Sequence, residues 1–487
     1  MAGNQLKNQH LMWRAGFGPS VEQLDELGKI SSEKLFQSLQ KDSARKPQYI
    51  EAADNYLQGL MMGLQDLGRL QRREMSQDQK KEMMKKSREA IKSLNLFWID
   101  EMVNTNAQLR EKLAFFWHGH FACRNLNIFF QQQLLDVIRR NALGSFRDLL
   151  HEVSKTGAML NFLNNNQNRK DHPNENFARE VMELFTMGRG NYTEEDVKEA
   201  ARAFTGWGSN PRGDFVFRQN LHDEGKKTVL GRKGNFDGDA VLDILLDEKQ
   251  TAKFISRKIY RFLVNENVDE QKMGWLSERF YKSGYNIGAL VEDIFTSDWF
   301  YDEANVGCRI KSPVELLVGI QRMLPMKLQD DQALLLLQRV LGQVLFYPPN
   351  VAGWPGGKTW IDSSTLMMRM RIPQLIYDQD EFNVRPKSDD DQMMGRSEDA
   401  ENSNADSFRK GKIARPMNAE IDWSRFLQFY GKTPRTELIN DIAGMLLQTK
   451  KAVSAGIITQ YSDDESNETF IKSATIQIMS TPEYQLC

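Results

Sequence analysis

Apolar residues recur at intervals of three and four along most of this chain, which is the spacing of helices with one buried face. The same segments are rich in Leu, Met, Lys, Glu and Gln, residues that favour helices. We therefore predict a mainly α fold, a large multi-helix architecture around a single core. The predicted helices cover residues 21–28, 32–42, 47–74, 76–104, 107–118, 125–141, 145–155, 175–187, 194–205, 238–264, 269–283, 286–296, 312–323, 330–343, 363–377, 435–449 and 467–479.

Two stretches interrupt this pattern. Residues 206–236 contain Gly, Asn and Pro around the alternating Phe215–Phe217, which predicts a small β-hairpin or two and a glycine-rich loop. Residues 378–418 are charged and polar, which predicts a flexible excursion. The predicted organisation is a main helical domain over 1–377, this excursion, and C-terminal helices over 419–487 that pack back on the main domain.

The charge balance limits the partners that we expect. The 64 Lys and Arg residues nearly equal the 66 Asp and Glu residues, for a net charge of −2, so we expect no nucleic-acid partner. No run of eighteen apolar residues occurs, so we expect no membrane span. The N-terminus lacks the apolar core of a signal peptide. As written, the sequence predicts a cytoplasmic protein, or a periplasmic or exported one if a leader has been removed.

The densest chemistry lies in Phe116–Phe121, where His118 and His120 stand among aromatic residues. A buried imidazole needs a hydrogen bond, a carboxylate or a metal. In a continuous helix the two rings would point roughly 200° apart. A shared site therefore requires the helix to end near Gly119, and a glycine permits such a break.

A second cluster follows Pro173, on a helix that we expect to stop at Gly188. Asn176, Glu180 and Glu183 fall on one face of that helix, beside a face that must be buried. Two carboxylates in such a place require a pairing partner, a proton or a cation. Arg179 can reach Glu183 or Glu175, so a structural Arg–Glu network competes with a ligand or acid–base role for the two glutamates.

Two loops carry further candidates. His222, Asp223 and Lys226 could surround one anionic or hydroxylated ligand, or could form an Asx turn with a surface histidine. Trp354 and Trp360 flank a loop rich in proline and glycine. Tryptophans on a rigid loop can stack on a sugar or line a pocket, and they can also fill the interface between helical layers.

Together these motifs resemble a known family. The resemblance runs in order through Arg14–Pro19, Phe116–Phe121, Asn174–Glu180, Ala203–Trp207, His222–Gly231 and Pro349–Gly357, up to the closing 480–485. The family is the bacterial domain of unknown function numbered 1800. It is defined without an agreed activity. The resemblance implies a bacterial protein, often with an export leader, whose gene often neighbours that of a sulfatase-like family, the domain of unknown function numbered 1501. From the sequence as written, we expect no such leader in this chain.

Two hypotheses about function follow. The first is a metal-assisted hydrolase of a polar or glycan-like substrate, in which His118, His120, Glu180 and Glu183 bind Zn, Fe or Mn. In that hypothesis the catalytic set is the same four residues with His222 and Asp223, and the substrate-binding residues are Asn174, Asn176, Arg179, Lys226, Trp354 and Trp360. The second is a non-catalytic binding or assembly protein with the sulfatase-like partner, in which the polar cluster is structural.

Overall fold

Helices make up most of the structure, a computed structural model that describes residues 2–59, 76–379, 381–384, 413–416, 419–449 and 453–487. The prediction of a mainly α fold is confirmed. The longer helices span Ala2–Ala15, Ser32–Ser43, Gln77–Asn104, Gln108–His120, Ile128–Asn141, Phe146–Ser154, Glu194–Ala203, Gly238–Asp247, Lys249–Leu263, Glu270–Lys282, Ile287–Phe295, Pro313–Met323, Gln332–Leu341, Ser363–Asp378, Arg435–Leu446 and Asn467–Met479. Shorter helices span Gly157–Phe162, Asn176–Glu180, Ser424–Tyr430 and Ala455–Gln460, and a π-helical segment spans Val181–Thr186.

Capping residues set several helix starts at the positions that the sequence indicates. Ser76 accepts from the backbone N–H of Gln79 at 3.1 Å, and Gln79 accepts from Ser76 N–H at 3.0 Å. Thr193 and Asp196 form the same reciprocal pair before the helix Glu194–Ala203. Each pair satisfies backbone donors that the first helical turn leaves open.

Some predicted boundaries are wrong. Residues 21–28 form only a single 3₁₀ turn at Val21–Gln23, followed by turns. The predicted helix 238–264 is two helices, because Glu248 is extended (ψ 120°) between them. The helix Ala2–Ala15 was missed because its polar sequence hides a buried face. Part of the predicted helix 47–74 and most of the excursion 378–418 lie outside the described residues.

The strands that the structure describes form four separate antiparallel pairs. Two pairs lie in the predicted β insertion, Trp207–Ser209 with Phe215–Phe217 and Lys227–Val229 with Arg232–Gly234. The other two pairs join Met326–Leu328 to Ala419–Ile421, and Glu381–Val384 to Ile413–Pro416. The two-hairpin form of the insertion is therefore confirmed.

The helix Gln108–His120 lies at the centre of the molecule, and every residue in it except Gly119 is buried. Its neighbours are the helices Ala2–Ala15, Ser32–Ser43, Gln77–Asn104 and Ile128–Asn141. The buried charges of the helix are paired. Glu111 receives the guanidinium groups of Arg110 and Arg139, each at 2.9 Å, and Lys112 pairs with Glu315. Paired charges allow a polar sequence to occupy the core.

Residues distant in sequence meet at the N-terminal helix. Gln9 Nε2 donates to Gly444 O at 3.0 Å, and Arg14 Nη2 donates to Cys487 O at 2.8 Å. The segment around Leu486 forms a β-bridge with Ile310. None of the described helices is long and apolar enough to cross a membrane.

Candidate functional site

His118 and His120 lie in one uninterrupted helix, which does not break at Gly119. The helix ends only after His120, where Phe121 N–H donates to Trp117 O at 2.8 Å. The two rings therefore leave the helix in different directions and meet different neighbours. The arrangement that a shared site requires, a helix ending near Gly119, is not the one observed.

The ring of His118 lies in a box of aromatic side chains. Trp354 stacks on it with ring centroids 5.6 Å apart, Trp98 lies at 5.1 Å, and Phe346 meets it edge-on at 5.0 Å. Burial lowers the pKa of His118 to about 3, so the ring is neutral at physiological pH. Its buried Nδ1 has no hydrogen-bond partner among the described residues. His118 thus packs against Trp354, which itself lines the cavity described below.

A pair of variants at His118 tests this packing role. We expect His118→Phe to keep the free energy of unfolding within about 1.5 kcal/mol of the wild type, because the ring is neutral and its neighbours are aromatic. His118→Ala should lose about 2–5 kcal/mol through the cavity it leaves. Urea unfolding measures both. An equal loss in the two variants would show that an imidazole nitrogen is needed. Elemental analysis of the same preparations separates this role from metal binding. If His118 were a metal ligand, the wild type would contain metal and the folded His118→Phe variant would not.

His120 faces the π-helical segment Val181–Thr186. Its Nε2 lies 3.2 Å from Phe185 O, and because a carbonyl only accepts, Nε2 carries the proton and Nδ1 is the unprotonated nitrogen. That Nδ1 is buried without a partner among the described residues. Burial, and then the charge of Lys258, lower the pKa of His120 well below its usual value. His120 is therefore a neutral ring at the edge of a cavity.

Glu180, the last residue of the helix Asn176–Glu180, and Glu183, in the π-helical segment, are both half-buried. Tyr192 donates its hydroxyl to Glu183 Oε2 at 2.6 Å. Burial and the neighbouring Glu183 raise the pKa of Glu180. Arg179 binds Glu175 at 3.0 Å and Glu194 at 2.7 Å. An Arg–Glu network is therefore present, with Glu175 and Glu194 as its acids.

The two asparagines of this cluster fix the start of the helix. Asn174 Oδ1 accepts from Asn176 N–H at 3.0 Å, and Asn176 Nδ2 donates to Leu163 O at 3.2 Å. Asn174 N–H in turn donates to Asn168 Oδ1 at 2.9 Å. These bonds tie the helix to the preceding loop, so both asparagines have partners within the protein.

The His222 loop is held by internal bonds. His222 is buried, with Nδ1 2.9 Å from Thr205 O. Arg202 binds both carboxylate oxygens of Asp223, at 2.7 and 3.2 Å. Lys226 is exposed, and the buried lysine here is Lys227, whose ammonium donates to Gly225 O at 3.0 Å. The imidazole of His222, the carboxylate of Asp223 and the ammonium of Lys227 are thus each engaged by bonds within the protein.

The predicted metal ligands do not form one centre. Among the residues that the structure describes, no group of three or more His, Cys, Asp or Glu side chains is placed to hold a metal ion. His118 and His120 are separated by the helix, and Glu183 is engaged by Tyr192. Local spacing assigned each residue to a face of its helix, but it did not determine which faces meet.

Three of the predicted residues do meet at a cavity of about 210 Å³ beside the end of the helix Gln108–His120. They are His120, Trp354 and Trp360, and we call this cavity the Trp354 pocket. Its other walls come from the helix Lys249–Leu263 and from the start of Pro313–Met323. The remaining lining residues are Phe115, Phe116, Gly119, Lys258, Arg261, Phe262, Glu266, Arg309, Ser312, Glu315, Gln343, Ala352, Pro355, Gly356 and Gly357.

Backbone contact positions the Trp354 loop. Gly353 has a φ of +81°, in the left-handed region, and a Cβ there would overlap the carbonyl oxygen of Gly119. Only glycine combines that backbone angle with so close an approach. The loop therefore packs directly on the central helix, and the next residue, Trp354, lies between His118 and the cavity.

The charged groups of the Trp354 pocket are the functional candidates that sequence reasoning missed. Burial, and then Arg261, lower the pKa of the half-buried Lys258 to about 8. Arg309 is 9% exposed and lies over the Phe262 ring, 5.0 Å from its centroid. Burial alone would raise the pKa of Glu315, but Lys112 and Arg309 hold it at about 2. Each is a single charge in an amphipathic segment, which in the sequence is indistinguishable from a surface residue.

Comparison with known proteins gives a family without an activity. The family described as a protein of unknown function (DUF1800) matches residues 10–486. The comparisons found no match among curated proteins and none among solved structures.

Proposed function

The chain belongs to the DUF1800 family, and because that family has no assigned function, we propose one from the Trp354 pocket. The protein binds a small hydroxylated ring molecule, of monosaccharide size, in this pocket. The observation that carries the proposal is the placement of Trp354 and Trp360 on one cavity together with the carboxylate of Glu266.

Aromatic faces beside a few polar groups suit such a ligand. An indole offers a flat apolar surface to the C–H face of a sugar ring, and carboxylates and cations bind its hydroxyl groups. The carboxylate of Glu266 lies against Gly357 and has no ion pair or side-chain hydrogen bond among the described residues. The volume of about 210 Å³ is below that of pockets for drug-sized ligands, which favours a single ring.

Two groups in the Trp354 pocket support turnover of the ligand as well as binding. Lys258 has a pKa of about 8, near the pH at which most proteins work, and Glu266 is a carboxylate without a partner among the described residues. An acid and a base of this kind suit a hydrolase of a polar or glycan-like substrate. In this proposal Lys258 and Glu266 take the catalytic role that the first hypothesis assigned to His118, His120, Glu180 and Glu183.

Titration with monosaccharides tests the proposal. The panel contains glucose, N-acetylglucosamine and glucuronate, and the readouts are calorimetry and tryptophan fluorescence. We expect at least one member to bind, and Trp354→Leu to weaken that binding about 3- to 10-fold through the lost ring contact. The control is Trp275→Leu, because Trp275 is 43% exposed on the helix Glu270–Lys282. Equal binding by both variants, or no binding by the wild type, would contradict the proposal.

A non-catalytic assembly role with a sulfatase-like partner stays a second candidate. Trp354 and Trp360 line the cavity, which favours a small ligand over a protein surface at this loop. Co-purification of the two proteins from a host that expresses both tests this candidate. A complex that persists in Trp354→Leu would place the contact elsewhere.

A further inference from the structure

We infer that the Trp354 pocket contains a subsite for an anionic group, a carboxylate or a phosphate or sulfate ester, formed by Arg309, Lys258 and Arg261. The inference rests on the proposed function, because it specifies which hydroxylated molecules bind. It selects acidic sugars over their neutral parents.

The first argument is the charge of the pocket walls. Three cations, Lys258, Arg261 and Arg309, line the cavity with two carboxylates, Glu266 and Glu315. Glu315 already has partners within the protein, since it pairs with Lys112 and accepts from Ser312 N–H at 2.8 Å. That leaves one carboxylate against three cations. A partly enclosed cavity with surplus positive charge attracts anions.

The second argument is the state of Arg309. Its Nη1 is buried, lies 3.9 Å from Glu315 Oε1, and has no hydrogen-bond partner among the described residues. A buried guanidinium N–H without an acceptor is unfavourable, and a guanidinium can only donate. An oxyanion in the cavity would supply the acceptor, and Arg is the side chain that best matches the planar oxygen pair of a carboxylate or an ester.

Arg309 is also held in place without a ligand. The backbone N–H of Arg309 donates to Cys487 O at 3.1 Å, and the backbone N–H of Cys487 donates to Arg309 O at 2.8 Å. Its guanidinium lies over the ring of Phe262. A donor fixed in this way loses little conformational freedom on binding, which strengthens recognition.

The third argument concerns Lys258 and Arg261, which lie three residues apart on the helix Lys249–Leu263 and so face the same side. Within the described parts of the chain, neither forms an ion pair. Elsewhere on this helix Arg257 has an acidic partner, Glu270, at 2.6 Å. Lys258 and Arg261 therefore line the cavity together, without an ion-pair partner among the described residues.

The test compares neutral and acidic sugars of the same skeleton by calorimetry. The ligands are glucose, glucuronate, glucose 6-phosphate and glucose 6-sulfate, with inorganic phosphate as a separate probe. We expect at least one acidic sugar to bind about 10-fold or more tightly than glucose, as a charge-assisted hydrogen bond predicts. The three acidic sugars distinguish carboxylate from phosphate and sulfate ester.

Variants assign the effect to the named residues. Lys258→Met and Arg309→Met should each reduce the preference for the acidic sugar, measured as its affinity relative to that of glucose, about 10-fold. Arg261→Gln should reduce it less, because Arg261 is exposed at the cavity edge. Lys253→Met is the matched control, since Lys253 is exposed on the same helix and does not line the cavity. If Arg309→Met fails to fold, Lys258→Met and Arg261→Gln decide the result.

The possible outcomes separate the two proposals. Equal affinity for glucose and all three acidic sugars would overturn the anion subsite and leave the proposed function standing. Binding of inorganic phosphate that depends on Lys258, without binding of any sugar, would support the subsite and overturn the proposed function. Binding of none of the probes would overturn both.

Discussion

Replacing Lys112 with methionine is expected to lower the free energy of unfolding by about 3–5 kcal/mol, because it leaves the carboxylate of Glu315 buried without its main partner. The two side chains are 0% and 1% exposed, and Lys112 Nζ also donates to Trp13 O at 3.1 Å. Methionine fills nearly the same volume, so the loss reports the charge and the hydrogen bonds, with little contribution from packing. Urea unfolding measures it.

Two controls make this expectation specific. Lys282→Met removes an exposed pair, with Glu278 at 2.7 Å, and should cost less than about 1 kcal/mol. The double variant Lys112→Met with Glu315→Leu should recover part of the loss, since the buried carboxylate is removed together with its ammonium partner. Equal losses for Lys112→Met and Lys282→Met would show that the buried pair contributes no more than a surface pair.

The pH dependence of the same pair has a defined sign. Lys112 and Arg309 hold the pKa of folded Glu315 at about 2, below its ordinary value of 4.5, despite the opposing effect of burial. The resulting stability is fully present above 4.5 and is lost as the pH falls toward 2. In Lys112→Met this rise of stability between pH 2 and 4.5 should flatten or reverse.

Gly353→Ala is the second change with a large expected effect, a loss of more than about 2 kcal/mol in the free energy of unfolding. The residue has a φ of +81°, which costs a non-glycine residue about 1–2 kcal/mol. Its new Cβ would also overlap the backbone oxygen of Gly119, which cannot rotate away as a side chain can. The loop must therefore move off the central helix and carry Trp354 with it.

Gly356→Ala separates these two effects. Gly356 has a similar φ of +76°, but a Cβ there would meet no atom within 4 Å. Its ψ of −176° places it in a region used almost only by glycine, so its alanine variant should lose only the backbone cost, about 1–3 kcal/mol. Thermal unfolding gives the stabilities, and near-ultraviolet circular dichroism reports whether the tryptophan environment changes. Equal losses and unchanged spectra in both variants would contradict the close approach of Gly353 to Gly119.

Local periodicity predicted the fold because the sequence signals of a helix or a hairpin lie within a few neighbouring residues. The capped helices after Ser76 and Thr193 and the two hairpins of residues 206–236 are examples. Where a helix carries polar side chains on its buried face, this signal is absent, as in Ala2–Ala15. The break at Glu248 was missed because both flanking helices present apolar residues at compatible spacing.

The candidate site was predictable only in its aromatic part. Trp354 and Trp360 stand out because tryptophans between prolines and glycines are uncommon in a helical chain. Arg309 becomes notable only once its burial and its unpartnered Nη1 are known, and both depend on chain segments far away in sequence. Among the described residues, the side chains of the His/Glu hypothesis do not lie together, because the helix continues through Gly119.

The bonds of the N-terminal helix have a consequence for the order of folding. Gln9 donates to Gly444 O, and Arg14 donates to Cys487 O as well as to Asn305 O. The bonds to Gly444 and Cys487 form only when almost all of the chain has been synthesised. Contacts of such long range also slow folding, because a very large loop has to close. Apolar side chains at these positions would expose an aggregation-prone surface on the nascent chain during that interval. The polar side chains of Gln9 and Arg14 stay hydrated during that interval, and their bonds later specify where the helix docks.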